Sequence, residues 1–235
     1  INSLKNKKHR YKNGLFVAEG IKVIKEFLDS SYRLHSLYSI ADIFPIKHKD
    51  VNIISPEELK SISFLSTPQI AIAIFHIKKN KPIKIKSLTL ALDGVRDPGN
   101  LGTIIRMCDW FGIKKLICSQ DTVDCYNPKV VQASMGSLTR VKVYYEDLKE
   151  ILPQTNLPIY AADMGGESIY SALIEQKSIL VMGSESQGIS AEIKDLMDKS
   201  LSIPQFGKNQ ETESLNVAMA TSIILSEFKR RTIEK

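Results

Sequence analysis

Several things are scarce or missing from this chain, and each absence narrows what it can be. No stretch of the 235 residues approaches 18 uninterrupted apolar positions, and the opening residues are charged rather than arranged as a secretory signal. The expectation is therefore a soluble, cytoplasmic protein that makes no use of a membrane. The first residue is Ile1, so a few residues are expected to precede it. Cysteine is sparse: Cys108, Cys118 and Cys125 are an odd set without a C-x-x-C pair, which argues against a disulfide framework and against a zinc site. They read as packing thiols. His9, His35, His48 and His76 fall in no motif and read as surface or core residues, and no metal is expected. Also missing are the G-x-G-x-x-G fingerprint of dinucleotide folds and the acidic residue that would follow it to hold a ribose diol. A nicotinamide-dependent oxidoreductase falls with them.

What is there begins with charge. The net charge is +6, yet residues 1–87 hold 16 basic against 7 acidic residues, which leaves 88–235 at −3. Clustered Lys and Arg provide the counterion-release component of nucleic-acid binding, so the first third reads as the face for a polyanion, against the plain alternative of a solvated surface.

The order of elements divides at the same place. Residues 1–13, INSLKNKKHRYKN, form a basic, helical arm. LFVAE (15–19), LHSLYSI and QIAIAIFHI (69–77) read as strands; IKVIKEFLDS, with Ile21, Ile24, Phe27 and Leu28 on one stripe, and the capped SPEELKSI read as helices. KKNKPIKIKS is polar, lysine-rich and Pro-containing, the composition of a linker. From Leu88 strands alternate with helices: LTLALD, a helix over 101–111, KKLICS, a helix between Pro128 and Gly136, RVKVYY, EDLKEIL, PIYAAD, SILVMG, a helix from Ser190, LSIP and a long last helix from about Leu215. That pattern predicts an α/β domain with a mostly parallel sheet covered on both faces. The expected division is 1–80, a connection at 81–87, and 88–235.

Ligands of such sheets collect beyond the carboxyl ends of the strands. Three loops there are polar and glycine-bearing: DGVRDPGN, GSESQG (183–188) and PQFGKNQETESLN (204–216). In the first, Asn100 reads as the N-cap of a helix whose Leu101, Ile104, Ile105 and Cys108 face the sheet. Arg106 then points elsewhere, with Gly102 leaving space beside a guanidinium suited to phosphate or carboxylate. The alternative is a cap and a surface ion-pair partner. Glu185 follows a core strand and could accept a hydroxyl proton, orient Arg106, or merely cap the next helix. Ser214 and Asn216 stand at the opening of the last helix and, taken singly, are ordinary N-terminal residues of a helix.

Taken together, D-P-x-N-x-G-x-x-x-R, a strand ending G-S-E-x-x-G, and I-P…S-L-N-V before a terminal helix closely resemble the SpoU (TrmH-like) branch of the SPOUT RNA methyltransferases, over nearly all of 88–235 and with VVQASMGSL (130–138) in support. The basic first third is similar to the domain, like ribosomal protein L30e, that often precedes this catalytic domain; GLFVAEG and IAIAIF match its strands. The resemblance implies methyl transfer from S-adenosylmethionine to a ribose 2′-hydroxyl of structured RNA, tRNA or rRNA, by a homodimer joined through the SPOUT domain, with a trefoil knot at the carboxyl end. It implies catalytic roles for Asn100, Arg106, Glu185, Ser214 and Asn216. It implies cofactor contacts from Met182, Gly183, Gly188, Ile203, Leu215 and Asn216. Because a guanidinium stays protonated, Arg106 is expected to fix the target phosphate and stabilise charge on the 2′-oxygen rather than act as base, with Glu185, Ser214 and Asn216 orienting it. A non-catalytic RNA-binding factor keeping the same fold is the competing reading. Relatives commonly carry Gly where Ser186 stands, and the run from Gly207 to Ser214 is about three residues longer than usual.

Overall fold

The computed structural model describes residues 1–46, 51–207 and 213–233. Most of the extra length expected in the third loop, at 208–212, lies outside the described residues, as does His48. The arm folds as a short 3-10 turn followed by α1 (Lys7–Asn13), capped by the Asn6 side chain and closed by Gly14 in the left-handed conformation. Then come β1 (Leu15–Glu19), α2 (Ile21–Leu28), β2 (Leu34–Ser39), β3 (Val51–Ile53), α3 (Pro56–Ile62) and β4 (Ala71–His76). These strands make a mixed sheet ordered β1-β4-β2-β3, in which β4 runs antiparallel to β1 and β2 and only β2 and β3 are parallel. The helix over 56–62 begins with a full capping box between Ser55 and Glu58 and a Pro in its first turn, as SPEELKSI predicts. The strand β3 is only three residues long with two of them exposed, too short for periodicity to mark it.

The second unit runs β5 (Thr89–Asp93), α4 (Pro98–Trp110), β6 (Lys115–Cys118), α5 (Pro128–Ala133), β7 (Lys142–Tyr145), α6 (Leu148–Ile151), β8 (Ile159–Ser168), β9 (Ile179–Gly183), α7 (Ala191–Lys194), β10 (Lys199–Ser202) and α8 (Val217–Ile233). All six strands are parallel, in the order β10-β8-β9-β5-β6-β7. Alternation sorts their side chains. Leu90, Leu92, Leu116, Leu180 and Met182 pack on one face with Leu101, Ile104, Ile105, Cys108 and Phe228, while Ala91, Ile117, Val181 and Ile179 pack on the other with Leu148, Leu152 and Ile193. The expected double covering is therefore present.

Strand β8 continues past the predicted PIYAAD. Its pairing with β10 jumps from Ala161↔Ser200 to Glu167↔Leu201, so residues 162–166 leave the sheet as a bulge before the strand resumes. Gly166 makes the resumption possible, since a Cβ there would lie 2.5 Å from the Ser200 carbonyl carbon.

The two units are joined by more than chain. One apolar cluster contains Phe16, Phe27 and Phe75 of the first sheet together with Tyr126 and Val130 of the second unit, and the Phe16 and Tyr126 rings lie 4.6 Å apart. Arg10, 2% exposed, reaches out of α1 to Asp124, with Nε at 2.9 Å and Nη2 at 2.5 Å from one carboxylate oxygen. Tyr11 Oη and the Tyr126 amide donate to the other oxygen, and Arg10 Nη1 donates to the carbonyls of Leu4 and Lys5. A buried ion pair with its remaining valences filled is the arrangement that tolerates burial. The connection at 81–87 has no regular structure, but Ile83 and Ile85 pack against the second face of the parallel sheet and Lys115 Nζ donates to the Lys84 carbonyl.

Candidate active site

The polar loops beyond β5, β9 and β10 converge at one end of the sheet. After β5, Asp97 caps α4 by accepting from the Asn100 amide at 2.8 Å, and Pro98 is the first residue of the helix. The cap expected of Asn100 therefore belongs to Asp97, three residues earlier. The D-P pair carried that signal, because Pro is favoured at the first helical position directly after a capping acid. Asn100 is left with its side chain free for other work. Its Nδ2 donates to Glu185 Oε1 at 2.5 Å, and its Oδ1 accepts from Asn216 Nδ2 at 2.9 Å.

Asn216 is held just as firmly on its own side. Its Oδ1 accepts the amides of Ala218 and Met219 at 3.0 and 3.2 Å, capping α8, which fixes the amide plane and aims the Nδ2 group at Asn100. The helix-end reading of the sequence holds for this residue, and its side chain also reaches into the loop cluster. Residues 85 and 116 positions apart from Asn100 are brought together through one side-chain amide.

Arg106 is exposed, and the cluster does not orient it: among the described residues it makes no hydrogen bond or ion pair. Glu185 is taken up by Asn100, and Ser214 is exposed with no side-chain hydrogen bond. Gly102 does not open space beside the guanidinium either. It is buried, and a Cβ on it would meet the Ala133 Cβ at 2.5 Å and the Val130 carbonyl oxygen at 2.9 Å. The missing side chain lets α4 and α5 pack at close range, which sets the axis from which Arg106 projects.

Beside this cluster lies a cavity of about 800 Å³, lined by Met182, Gly183, Gly188, Ile203, Leu215 and the exposed ring of Phe206. Glu185 and Ser214 lie on its rim, and the bulge of β8 contributes Ala162, Asp163 and Met164 as a further wall. Gly183 sits where a Cβ would fall 2.1 Å from the Gly188 carbonyl carbon and 2.3 Å from the Ile189 nitrogen. Only glycine lets the strand end and the returning turn lie so close. The turn is tied by two Ser184–Gly188 main-chain bonds, of 2.9 and 3.0 Å, and Gly188 adopts φ +66°. Ser186, where glycine is common among relatives, is not among the positive-φ residues, so this turn forms with serine there. Asp93, at the end of β5, accepts the Ser190 amide at 2.8 Å and steadies the exit of the same loop. Lys194 and Asp163 form an ion pair of 2.6 Å on the cavity wall. Neither Asp93 nor this pair is signalled by sequence, since each depends on a neighbour distant in the chain. A second cavity of about 670 Å³, around Pro158 and Asp198 at the opposite end of β8 and β10, includes none of the motif residues.

The volume lies within the range of small-molecule sites, roughly 300–1,000 Å³, and a lining that mixes apolar side chains with main-chain and side-chain polar groups suits a flat heteroaromatic ring and its ribose. S-adenosylmethionine fits that description. No group of three or more His, Cys, Asp or Glu side chains among the described residues is arranged to hold a metal ion.

Comparison with known proteins agrees with this architecture. The SpoU rRNA Methylase family model matches residues 87–226, and the MRM3-like substrate binding domain matches residues 1–73. The 23S rRNA (guanosine(2553)-2'-O)-methyltransferase RlmP of Bacillus subtilis is 26% identical, over 94% of this chain and 91% of that protein. A putative RNA methyltransferase of the TrmH family from Porphyromonas gingivalis superposes with a TM-score of 0.88 at 38% identity, covering 98% of this chain and 95% of that one. An AdoMet-bound rRNA methyltransferase from Sinorhizobium meliloti gives a TM-score of 0.84 at 28% identity, covering 98% and 92%. With more than half of its length matched by the family model and a 38% identical structure spanning nearly all of it, this chain belongs to the SpoU rRNA methylase family.

Proposed function

We propose that this protein is a methyltransferase that uses S-adenosylmethionine to methylate a ribose 2′-hydroxyl of ribosomal RNA. The observation that carries the reading is the Asn216–Asn100–Glu185 chain, which ties three separate loops together at the rim of a glycine-cradled cavity. The cofactor, when bound, supplies a methyl group already activated on a sulfonium, so the protein's task is alignment and charge control. Met182, Ile203, Leu215 and Phe206 enclose the cofactor, while the main chain at 183–188 and beside Leu215 offers donors and acceptors to it. Asn100 fixes the Glu185 carboxylate at the rim, where it faces the incoming hydroxyl. Arg106, without a hydrogen bond or ion pair among the described residues, is available to hold the target phosphate and stabilise negative charge on the 2′-oxygen; as a guanidinium it keeps its proton. Ser214 and Asn216 complete the rim from the side of α8.

Ribosomal RNA is the favoured substrate because the Bacillus subtilis relative and the mitochondrial rRNA methyltransferase 3 proteins, 28% identical in Homo sapiens, act on it by name. The knot and the homodimer belong to the same reading. Leu215 and Met219, at 50% and 60% exposure beside the cavity, are the apolar surface that a second copy would cover. Three buried free thiols suit a reducing, cytoplasmic setting. Mapping 2′-O-methyl positions in total RNA from a deletion strain and its parent tests the function. One lost ribosomal position, restored by the wild-type gene and not by an Arg106→Ala copy, is expected. An unchanged map would leave the non-catalytic RNA-binding factor as the reading.

A further inference from the structure

The amino-terminal arm stands at the same end of the parallel sheet as the cavity. Asp124, which anchors Arg10, lies in the loop beyond the carboxyl end of β6. That loop is tied in turn to the one that enters α4: the Gly94 amide donates to Ser119 Oγ at 2.9 Å, the Val123 amide to the Val95 carbonyl at 3.0 Å, and Arg96 pairs with Asp121 at 2.9 Å. Lys7 Nζ lies 5.7 Å from the ring centroid of Tyr145, at the carboxyl end of the edge strand β7. The cavity occupies the β8–β9–β10 side of this edge and the arm the β6–β7 side. From β9 to β7 at the usual strand spacing is about 14 Å.

Charge on the arm is placed against helix physics. Lys7 and Lys8 sit in the first turn of α1, the positive end of its dipole, with no acidic residue there. Lys8 and Lys12 are four apart on one face, where like charges repel. Lys5, Lys7, Lys8 and Lys12 are all exposed, and among the described residues none of them makes an ion pair. Arg10 alone turns inward, and its buried anchor holds this cationic face beside the site.

We infer that the outward lysines of the arm hold backbone phosphates of the substrate RNA next to the nucleotide presented at the cavity. The inference rests on the RNA reading of the preceding section. Phosphates relieve the repulsion between Lys8 and Lys12 and complement the unpaired charge.

The test compares two full-length variants of equal charge change: Lys8→Gln/Lys12→Gln on the arm, and Lys22→Gln/Lys25→Gln on α2, whose lysines are also exposed. Binding of a fluorescently labelled ribosomal RNA transcript is titrated at several salt concentrations, with melting curves to check folding. The arm variant is expected to bind more weakly, with the slope of log K against log salt reduced by about two. Its KM for RNA should rise several-fold with kcat near wild type. The α2 variant should keep the wild-type slope. Equal loss in both variants, or an unchanged slope in the arm variant, overturns the inference. A wild-type protein that binds RNA with this slope but transfers no methyl group would sink the proposed activity and leave the arm's role standing.

Discussion

Asn216 holds Asn100 beside the cavity: its Nδ2 donates to Asn100 Oδ1 at 2.9 Å while its Oδ1 caps α8. One residue therefore sets both where the last helix begins and how the start of α4 is oriented. Since Asn100 passes the contact on to Glu185, the three act as a unit.

Coupling between Asn100 and Asn216 should appear in a double-mutant cycle. Each Asn→Ala substitution is expected to lower kcat/KM for methyl transfer, and the double variant to lose less than the product of the two losses, with a coupling of about 1–2 kcal/mol. Strict additivity would mean that the hydrogen bond is incidental.

Arg106→Ala should reduce methyl transfer by about 100- to 1,000-fold, the loss typical of removing one group that stabilises developing charge. Calorimetric affinity for S-adenosylmethionine should stay within a few fold, because Arg106 is not among the residues lining the cavity. Equal loss of binding and turnover would contradict the role given to the guanidinium.

A methyl group at Gly183 has nowhere to go, with main-chain atoms of Gly188 and Ile189 at 2.1 and 2.3 Å from its position. Gly183→Ala is expected to displace the turn and weaken cofactor affinity by about tenfold. Gly165→Ala is the control, since the nearest atom to a Cβ there is Asp163 Oδ1 at 3.8 Å. It should bind as wild type does.

Acid should expose a staple at the other end of α8. Glu227, 5% exposed, bonds Arg230 and Arg231, and Arg231 donates to the carbonyls of Ile169 and Ala172. The Arg230 and then the Arg231 hydrogen bonds pull its carboxyl from 4.5 down to about 2. A depressed carboxyl stabilises the fold fully above its unfolded value, and the contribution is lost as pH falls from about 4.5 toward about 2. Glu227→Gln should therefore cost about 2 kcal/mol at pH 7 and shrink toward no difference near pH 2. Parallel melting temperatures for the two proteins across that window would rule it out.

The sequence was most legible where physics is local. The unbroken apolar runs of β5 and β9, the i, i+3, i+4, i+7 stripe of α4 and the capping box at Ser55 all depend on neighbours within a few positions, and each forms as its pattern implies. Reading failed where a residue answers to a distant one. Gly102 looked like free space because Ala133 is invisible from its own helix, and PIYAAD reads as a whole strand although β8 resumes beyond it, where Gly166 admits β10. Asp124, one acid in a polar loop, gave no sign that Arg10 would be buried on it, 114 positions away. The motifs named the loops that meet; that Asn100 is the residue where they meet required coordinates.

That buried ion pair, with the aromatic contact of Phe16 on Tyr126 beside it, has an architectural consequence. The two sheets cannot swing like beads on a string, and removing residues 1–80 would uncover the Asp124 carboxylate together with the apolar surface around Tyr126. On the proposed RNA reading, a molecule built this way acts as a ruler: wherever the first unit holds RNA, the distance to the cavity is already set. Selecting one ribose then becomes a matter of span as much as of sequence.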